Sequence, residues 1–308
     1  MKSLMLVFAL GTAAPTATPM AHALQDTAEA PSARVLNDIA YYDGADADPE
    51  RHALNLVLPA DGAARATVLW IHGGAWAAGG RADEMGLAQA LAAEGIAVAV
   101  MSYRLSPGRW MSENLPDTGV QHPAHIEDVA RAFAWLWTHA PEHGLDRETL
   151  FVSGFSAGGH LSALLATDER YLIAEGLSDD AIRGAIPVGG TYDVEHYFRM
   201  INDGLGAQAA QDHVVGVFGP RPGHAAASPA SYLEQSDTPM LVISEGQSVI
   251  YADHFQSLVD ASSMRDLVRF EAFNEETHAS LYYEMIEPDA PSPARTLMLE
   301  FIDQQLAD

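Results

Sequence analysis

The chain has 308 residues, of which 42 are acidic, 16 are basic and none is cysteine. The resulting net charge of −26 argues against nucleic acid and anionic membrane surfaces as partners, because both carry charge of the same sign. The lack of cysteine excludes disulfides and thiolate metal sites. With 48% hydrophobic residues, the chain can build the core of one large α/β domain, and disorder is disfavoured.

The first 23 residues have the composition of a secretory signal peptide. Lys2 precedes a short apolar run, Leu4 to Leu10, and Ala21-His22-Ala23 has the form of a cleavage site. The apolar run is too short to span a bilayer. We therefore expect a signal peptide at 1–23, a polar linker at 24–36, a single folded domain at 37–308, and a periplasmic or secreted protein. An unstructured N-terminal tail is the alternative interpretation.

Seven strand-like runs alternate with helical stretches along the rest of the chain. This alternation predicts a mostly parallel central sheet with helices on both faces. The helical spacing is clearest from Ile126 to Leu136, where one apolar stripe would face the sheet. The predicted strands are Leu54–Leu58, Thr67–Ile71, Ile96–Tyr103, Leu150–Ser153, Gly184–Val188, Met240–Ser244 and Val268–Phe273.

The segment Gly154-Phe155-Ser156-Ala157-Gly158 has the form of a nucleophile elbow. It follows a strand-like run and leads into a helix-forming stretch, so Ser156 would lie at the tip of a sharp turn with its hydroxyl exposed. Glycine at 154 and 158 removes the Cβ atoms that would clash where strand and helix approach each other. Alone the motif is weak, but its context predicts a nucleophilic serine.

A second glycine-rich turn follows the predicted strand Thr67–Ile71. The sequence His72-Gly73-Gly74-Ala75-Trp76 offers backbone N–H groups that can stabilise an oxyanion. The predicted oxyanion donors are the N–H groups of Gly74, Ala75 and Ala157, the last being the residue after the nucleophile. The alternative for this turn is a β-turn with an aromatic plug.

His278 is the predicted general base, since it follows the last strand and comes after the serine in chain order. A surface histidine is the alternative. His160 lies in the first turns of the helix after Ser156 and is expected to point away with a structural role. His72 is expected to brace the glycine-rich turn.

These motifs together resemble the α/β-hydrolase superfamily, in the esterase branch with feruloyl-esterase-like, acetyl-esterase-like and arylformamidase-like proteins. The resemblance covers roughly residues 38 to 305 and implies an α/β-hydrolase fold, a serine nucleophile and an acyl-enzyme, with neither metal nor organic cofactor. The segments that carry it are Trp70–Gly80, Tyr103–Pro107, His122–Ala124 with Asp128 and Trp135, Gly154–His160, Thr167–Leu172, Gly190–Asp193, Ser228-Pro229 and Thr277-His278.

The catalytic acid is where this chain departs from its relatives. By resemblance the acid should fall near Gln247 or Ser248, just after the run Pro239 to Ser244, and neither residue carries a carboxylate. Glu245 is the nearest carboxylate and is the predicted acid. Three others stay open: Asp193, Asp253 and Glu276.

Two insertions are expected to shape the substrate site. One runs from Pro107 to Gln121 and contains Trp110 and Met111; the other runs from Val194 to Gln235 and is rich in glycine, histidine and aromatic residues. Its aromatic side chains could clamp an acyl group or could simply pack.

The predicted function is that of a serine carboxylesterase for small-molecule short-chain or aromatic esters, including carbohydrate-linked ones. Two alternatives remain: an arylformamidase-like amide hydrolase, and a weakly active binding protein on the same fold. The binding-protein alternative depends on the absence of a carboxylate at Gln247 and Ser248, where relatives have the catalytic acid.

Overall fold

The computed structural model describes residues 33–307. The predicted signal peptide lies outside the described residues, as does most of the predicted linker. The linker boundary was wrong at its end, because strand β1 (Arg34–Ala40) begins inside it. Val35 and Leu36 pair antiparallel with the next strand, and the register then shifts before Ile39. Asn37 and Asp38 at this irregularity interrupt the apolar alternation, so the sequence pattern hides the strand.

Eight strands form one sheet in the order β1-β2-β4-β3-β5-β6-β7-β8. The pairings of β1 with β2 and of β2 with β4 are antiparallel, and the other five are parallel. The predicted α/β-hydrolase sheet is confirmed, and its fourth strand ends at Met101, earlier than the predicted Tyr103. The strands after β1 are β2 (Ala53–Leu58), β3 (Ala66–Ile71), β4 (Ile96–Met101), β5 (Leu150–Phe155), β6 (Gly184–Val188), β7 (Met240–Glu245) and β8 (Val268–Phe273).

Helices connect the strands and cover the sheet. The α-helices are α1 (Met85–Ala93), α2 (Ala124–His139), α3 (Ala157–Thr167), α4 (Arg170–Ala174), α5 (Val194–Leu205), α6 (Ala207–Ala209), α7 (Gly216–Phe218), α8 (Val249–Val259), α9 (His278–Ile286) and α10 (Pro293–Ala307). A π-helical segment, Ala210–Val215, joins α6 to α7. Short 3₁₀ helices span Arg81–Glu84, Ala140–His143, Arg147–Thr149, Asp179–Ala181, Arg221–Ala227, Pro229–Ser231 and Ser263–Asp266.

The central strands are buried on both faces, so their side chains pack alternately into two hydrophobic cores, one on each face of the sheet. On β3, Leu69 and Ile71 join the core beneath helices α2, α3 and α8. Val68 and Trp70 point the other way, into the core beneath α1, α9 and α10. Burial on both faces explains why the parallel strands appear in the sequence as continuous apolar runs.

Within the described part of the chain, none of the helices has both the length and the apolar composition needed to cross a membrane.

Candidate active site

Ser156 occupies the turn between β5 and α3, as predicted. Its backbone has φ 57° and ψ −113°, a strained conformation for a residue with a side chain. A Cβ on Gly158 would collide with the carbonyl oxygen of Ile71, and one on Gly154 would collide with Gly158 itself. The elbow therefore has the close strand-to-helix approach that the two glycines were expected to allow, and the turn presents a partly exposed Ser156.

The glycine-rich turn after β3 lies beside this elbow. Gly74, Ala75 and Trp76 have φ values of 98°, 51° and 59°, so three consecutive residues adopt left-handed backbone conformations. The carbonyl of Gly74 accepts hydrogen bonds from the N–H groups of Ala77 and Ala78, both at 3.0 Å, which closes the turn. For the two residues with side chains, this backbone costs about 1–3 kcal/mol each. Strain of this kind is typical of functional sites.

The predicted oxyanion donors differ in their hydrogen bonding from Ala77 and Ala78, whose N–H groups close the turn. Across residues 33–307, the N–H groups of Gly74, Ala75 and Ala157 donate to no protein acceptor. Ala157 is the first residue of α3, where N–H groups lack intrahelical partners and the helix dipole favours negative charge. These three groups can therefore donate to an oxyanion.

His72 braces the turn, as the sequence analysis expected. Its Nδ1 lies 2.7 Å from the carbonyl oxygen of Gly73, so Nδ1 carries the proton and donates it. The ring stacks on Tyr103 at a centroid distance of 4.2 Å, and the Tyr103 hydroxyl donates to the carbonyl of His72 at 3.2 Å. Burial lowers the pKa of His72 to about 4, which keeps the ring neutral.

Glu245 and His278 form a direct carboxylate–imidazole pair. The His278 Nδ1 lies 2.7 Å from Glu245 Oε1, and the glutamate side chain is fully buried while the histidine is 30% exposed. The other carboxylate oxygen accepts the backbone N–H groups of Gln247 at 2.5 Å and Ser248 at 3.1 Å. Burial opposes ionisation of Glu245, but the bonds from His278 and these N–H groups hold its pKa below the usual range.

The Glu245–His278 pair lies close to Ser156. The His278 ring lies 4.6 Å, between centroids, from the ring of Phe155, the residue before Ser156. The Ser156 N–H donates to Val188 at 2.7 Å, and a Cβ on the next residue, Gly189, would lie 3.1 Å from His278 Cε1. Serine, glutamate and histidine therefore lie at the carboxyl ends of β5, β7 and β8, the edge of an open α/β sheet where ligands bind.

The other candidate acids have different surroundings. Asp193 accepts from His254 Nε2 at 2.9 Å and caps α5 by accepting the N–H of His196. Asp253 is exposed on α8. Glu276 contributes its backbone carbonyl, which accepts the N–H of Gly246. Glu245 is thus the carboxylate that meets His278.

Gln247, at the position expected for the acid by resemblance, has a different task. Its side-chain oxygen accepts the backbone N–H of His278 at 2.9 Å, at the start of α9. The carboxylate instead comes from the last residue of β7, and the extra methylene of glutamate over aspartate extends its reach from the strand. In the sequence, Glu245 was recognisable as the acid only because it is the carboxylate nearest to the end of that strand.

His160 points away from the nucleophile into the protein, as expected. It is fully buried, and its Nε2 donates to the carbonyl of Ala227 at 2.8 Å. Burial lowers its pKa to about 3.

The two insertions pack against each other above the sheet. Trp110 of the first insertion stacks on His213 of the second at 4.1 Å, and Phe218 meets the ring of Trp76 edge-on at 4.8 Å. Gln121 donates to the carbonyls of Val215 and Gly216, which closes this contact. Phe218 therefore packs behind the oxyanion turn. In the sequence, His213 has no signal beyond its place in a histidine-rich and aromatic-rich insertion.

Among the described residues, no group of three or more histidine, aspartate or glutamate side chains is arranged to hold a metal ion.

Known proteins resemble this chain in part of its sequence and in its fold. Esterase LipC of Mycobacterium tuberculosis is 36% identical over 135 residues, which is 42% of this chain and 30% of that protein. The chain therefore matches less than a third of that relative. Esterase B of Lactobacillus rhamnosis superposes with a TM-score of 0.70 at 22% identity, covering 90% of this chain and 87% of its own. A truncated carbohydrate esterase from gut microbiota gives a TM-score of 0.69 at 19% identity, covering 91% and 99%. The sequence pattern of the BD-FAE family matches residues 54–260, and the chain belongs to that family.

Proposed function

We propose that this protein is a serine carboxylesterase that works through an acyl-enzyme. The observation that carries the proposal is the 2.7 Å contact between Glu245 and His278 beside the strained turn of Ser156. A serine is a weak nucleophile until an oriented base accepts its proton, and a buried carboxylate on Nδ1 leaves Nε2 free for that task.

The reaction follows from these positions. His278 Nε2 accepts the Ser156 proton as the hydroxyl oxygen attacks the ester carbonyl, and Glu245 stabilises the imidazolium that forms. The N–H groups of Gly74, Ala75 and Ala157 donate to the oxyanion of the tetrahedral intermediate. The imidazolium then protonates the leaving alcohol. Water, deprotonated by His278, hydrolyses the acyl-enzyme and restores Ser156.

The binding-protein alternative has lost its main support. It depended on a missing acid, and the Glu245 contact supplies a carboxylate of suitable geometry and charge. The amide-hydrolase alternative uses the same machinery, and it is retained as an outcome of the test below.

We propose short-chain or aromatic carboxylic esters as substrates, including acyl groups carried on carbohydrate. The relatives support the ester class by name, and a carbohydrate esterase is among the proteins of similar fold. The aromatic insertions Pro107–Gln121 and Val194–Gln235 pack against each other, and Phe218 of the second packs against Trp76 of the oxyanion turn, so they lie close to the proposed site. The charge of −26 favours neutral over polyanionic substrates.

We also propose that the protein acts outside the cytoplasm, in the periplasm or the medium. The composition of residues 1–23 supports export. N-terminal sequencing of protein from its native host tests this proposal: a start near Leu24 supports it, and retention of Met1 to Ala23 contradicts it.

The activity is tested with a substrate panel and a covalent probe. We expect wild-type protein to hydrolyse nitrophenyl esters and to be labelled rapidly by a fluorophosphonate, and Ser156→Ala to lose both properties while keeping its melting temperature. Methyl ferulate, acetylated xylan and N-formylkynurenine complete the panel. If N-formylkynurenine were the only substrate hydrolysed, the protein would be assigned as an arylformamidase instead of an esterase. A wild-type protein that neither labels nor turns over any substrate would overturn the proposal.

A further inference from the structure

A buried carboxylate lies behind the active site and takes no part in the mechanism above. Glu84 ends the 3₁₀ turn Arg81–Glu84 just before α1, and it is only 2% exposed. Within residues 33–307 it is not paired with a basic side chain; the groups near it are Trp70, Tyr282, Tyr103, the backbone of Gly73 and the neighbouring Asp83. A buried carboxylate without a cationic partner is unusual and invites a functional explanation.

Both oxygens of Glu84 accept hydrogen bonds from elements that carry catalytic groups. Trp70 Nε1 donates to Oε2 at 3.0 Å, from the strand that leads into the oxyanion turn. Tyr282 Oη donates to Oε1 at 3.2 Å, from helix α9, whose first residue is His278. One side chain therefore joins the strand before the oxyanion donors to the helix of the general base.

Tyr282 also links this carboxylate to the elbow. Its ring lies 5.1 Å from the ring of Phe155, which in turn lies 4.6 Å from the His278 ring. The start of α1 approaches the end of α9 very closely, because a Cβ on Gly86 would collide with the carbonyl of Ile286. Helix α9 is thus fixed against the turn of Glu84 and the start of α1.

We propose that Glu84 is a positioning residue, which sets the distance between the oxyanion turn and His278 through Trp70 and Tyr282. The proposal rests on the esterase function proposed above. Glu84 does not touch the reacting atoms. Its effect reaches them through the orientation of α9 and of the turn after β3, and small displacements of catalytic groups have large effects on rate.

The test compares Glu84→Gln, Tyr282→Phe and the double variant with wild type. Glutamine keeps the volume and one oxygen but cannot accept from both donors. We expect kcat for a nitrophenyl ester to fall about 10- to 100-fold in Glu84→Gln with KM nearly unchanged, because the displaced groups act in the chemical step. Tyr282→Phe should lower kcat less, and the double variant should be no slower than Glu84→Gln, since both changes remove one shared contact.

A control separates positioning from general destabilisation. Ile302→Val removes a buried methyl group from α10 in the same core, without contact to Glu84. It should lower the melting temperature but leave kcat and the rate of fluorophosphonate labelling unchanged. A similar fall in kcat in Ile302→Val, or an unchanged kcat in Glu84→Gln, would overturn the inference while leaving the esterase proposal intact. A wild-type protein without labelling or turnover would overturn both.

Discussion

Two carboxylate–histidine pairs lie near the same edge of the sheet, and their hydrogen bonds are almost equally short. Glu245 and His278 are separated by 2.7 Å, and Asp193 and His254 by 2.9 Å. The first carboxylate is fully buried, whereas the second pair is about a quarter exposed on both sides. The first histidine lies against Phe155 beside the nucleophile; the second stacks on His196 at 4.0 Å. A short carboxylate–imidazole distance therefore does not identify a catalytic pair without burial and a neighbouring nucleophile.

The largest expected difference between the pairs appears when each histidine is removed. His278→Ala should lower ester hydrolysis by roughly 10⁶-fold, because triad members act as a unit. His254→Ala is the matched control and should keep near wild-type turnover. The test is the steady-state rate of each variant on a nitrophenyl ester, with circular dichroism to confirm that both variants fold. Near-full activity in His278→Ala would mean that another histidine is the base, and His160 would be the next to test.

Neutralising each carboxylate should give the next largest contrast. Glu245→Gln should lower kcat by about 10⁴-fold, because an amide N–H facing Nδ1 favours the wrong imidazole tautomer. Asp193→Asn should leave kcat close to wild type. If kcat fell equally in Glu245→Gln and Asp193→Asn, the conclusion that only the first pair is catalytic would be wrong.

A third contrast is between these two histidines and four buried histidines that form no hydrogen bond with a carboxylate of the described residues. Burial lowers the pKa of His72 to about 4 and the pKa values of His125, His160 and His213 to about 3, against a usual value of 6.5. The unfolded chain therefore binds more protons below pH 6.5, and the free energy of unfolding should fall as pH drops from 6.5 towards 4.

Each of these histidines can contribute up to about 1.4 kcal/mol per pH unit, so several kcal/mol should be lost by pH 5. Urea unfolding between pH 5 and 8 measures this loss. A free energy of unfolding that stays flat from pH 7 to 5 would contradict the assignment of neutral, buried rings.

The smallest expected effect is on stability at Asp193. Asp193→Ala removes the N-cap of α5 and should cost about 1 kcal/mol in the free energy of unfolding. The partly exposed contact with His254 should add little. Asp193→Asn preserves the cap, so its melting temperature should stay nearer to wild type. A large fall in kcat in either variant would give this pair a catalytic role.

The sequence predicted the sheet well because most of its strands are apolar runs bounded by turn residues, and β8 has apolar residues broken by Arg269 and Glu271. It missed β1, an edge strand whose alternation is broken at Asn37 and Asp38. The nucleophile and the oxyanion turn were local motifs, so their backbone geometry could be inferred from glycine spacing. The acid could be assigned only from proximity to a strand end, since the reach of Glu245 depends on where β7 stops. Contacts such as Trp110 with His213 join residues far apart in the chain and leave no local pattern.

The backbone contact at Gly158 has a consequence for how this protein can be altered. The elbow helix rests directly against the carbonyl of Ile71, with no side chain between them. The spacing between the Ala157 N–H and the turn after β3 is therefore fixed by main-chain atoms of two adjacent strands, β3 and β5. Phe218 of the segment 194–235 packs on Trp76 of that turn, so side-chain changes there act on the turn, whereas the contact at Gly158 involves main-chain atoms alone. Any side chain introduced at Gly158 would therefore push α3 away from the end of β3 and widen the gap between the predicted oxyanion donors.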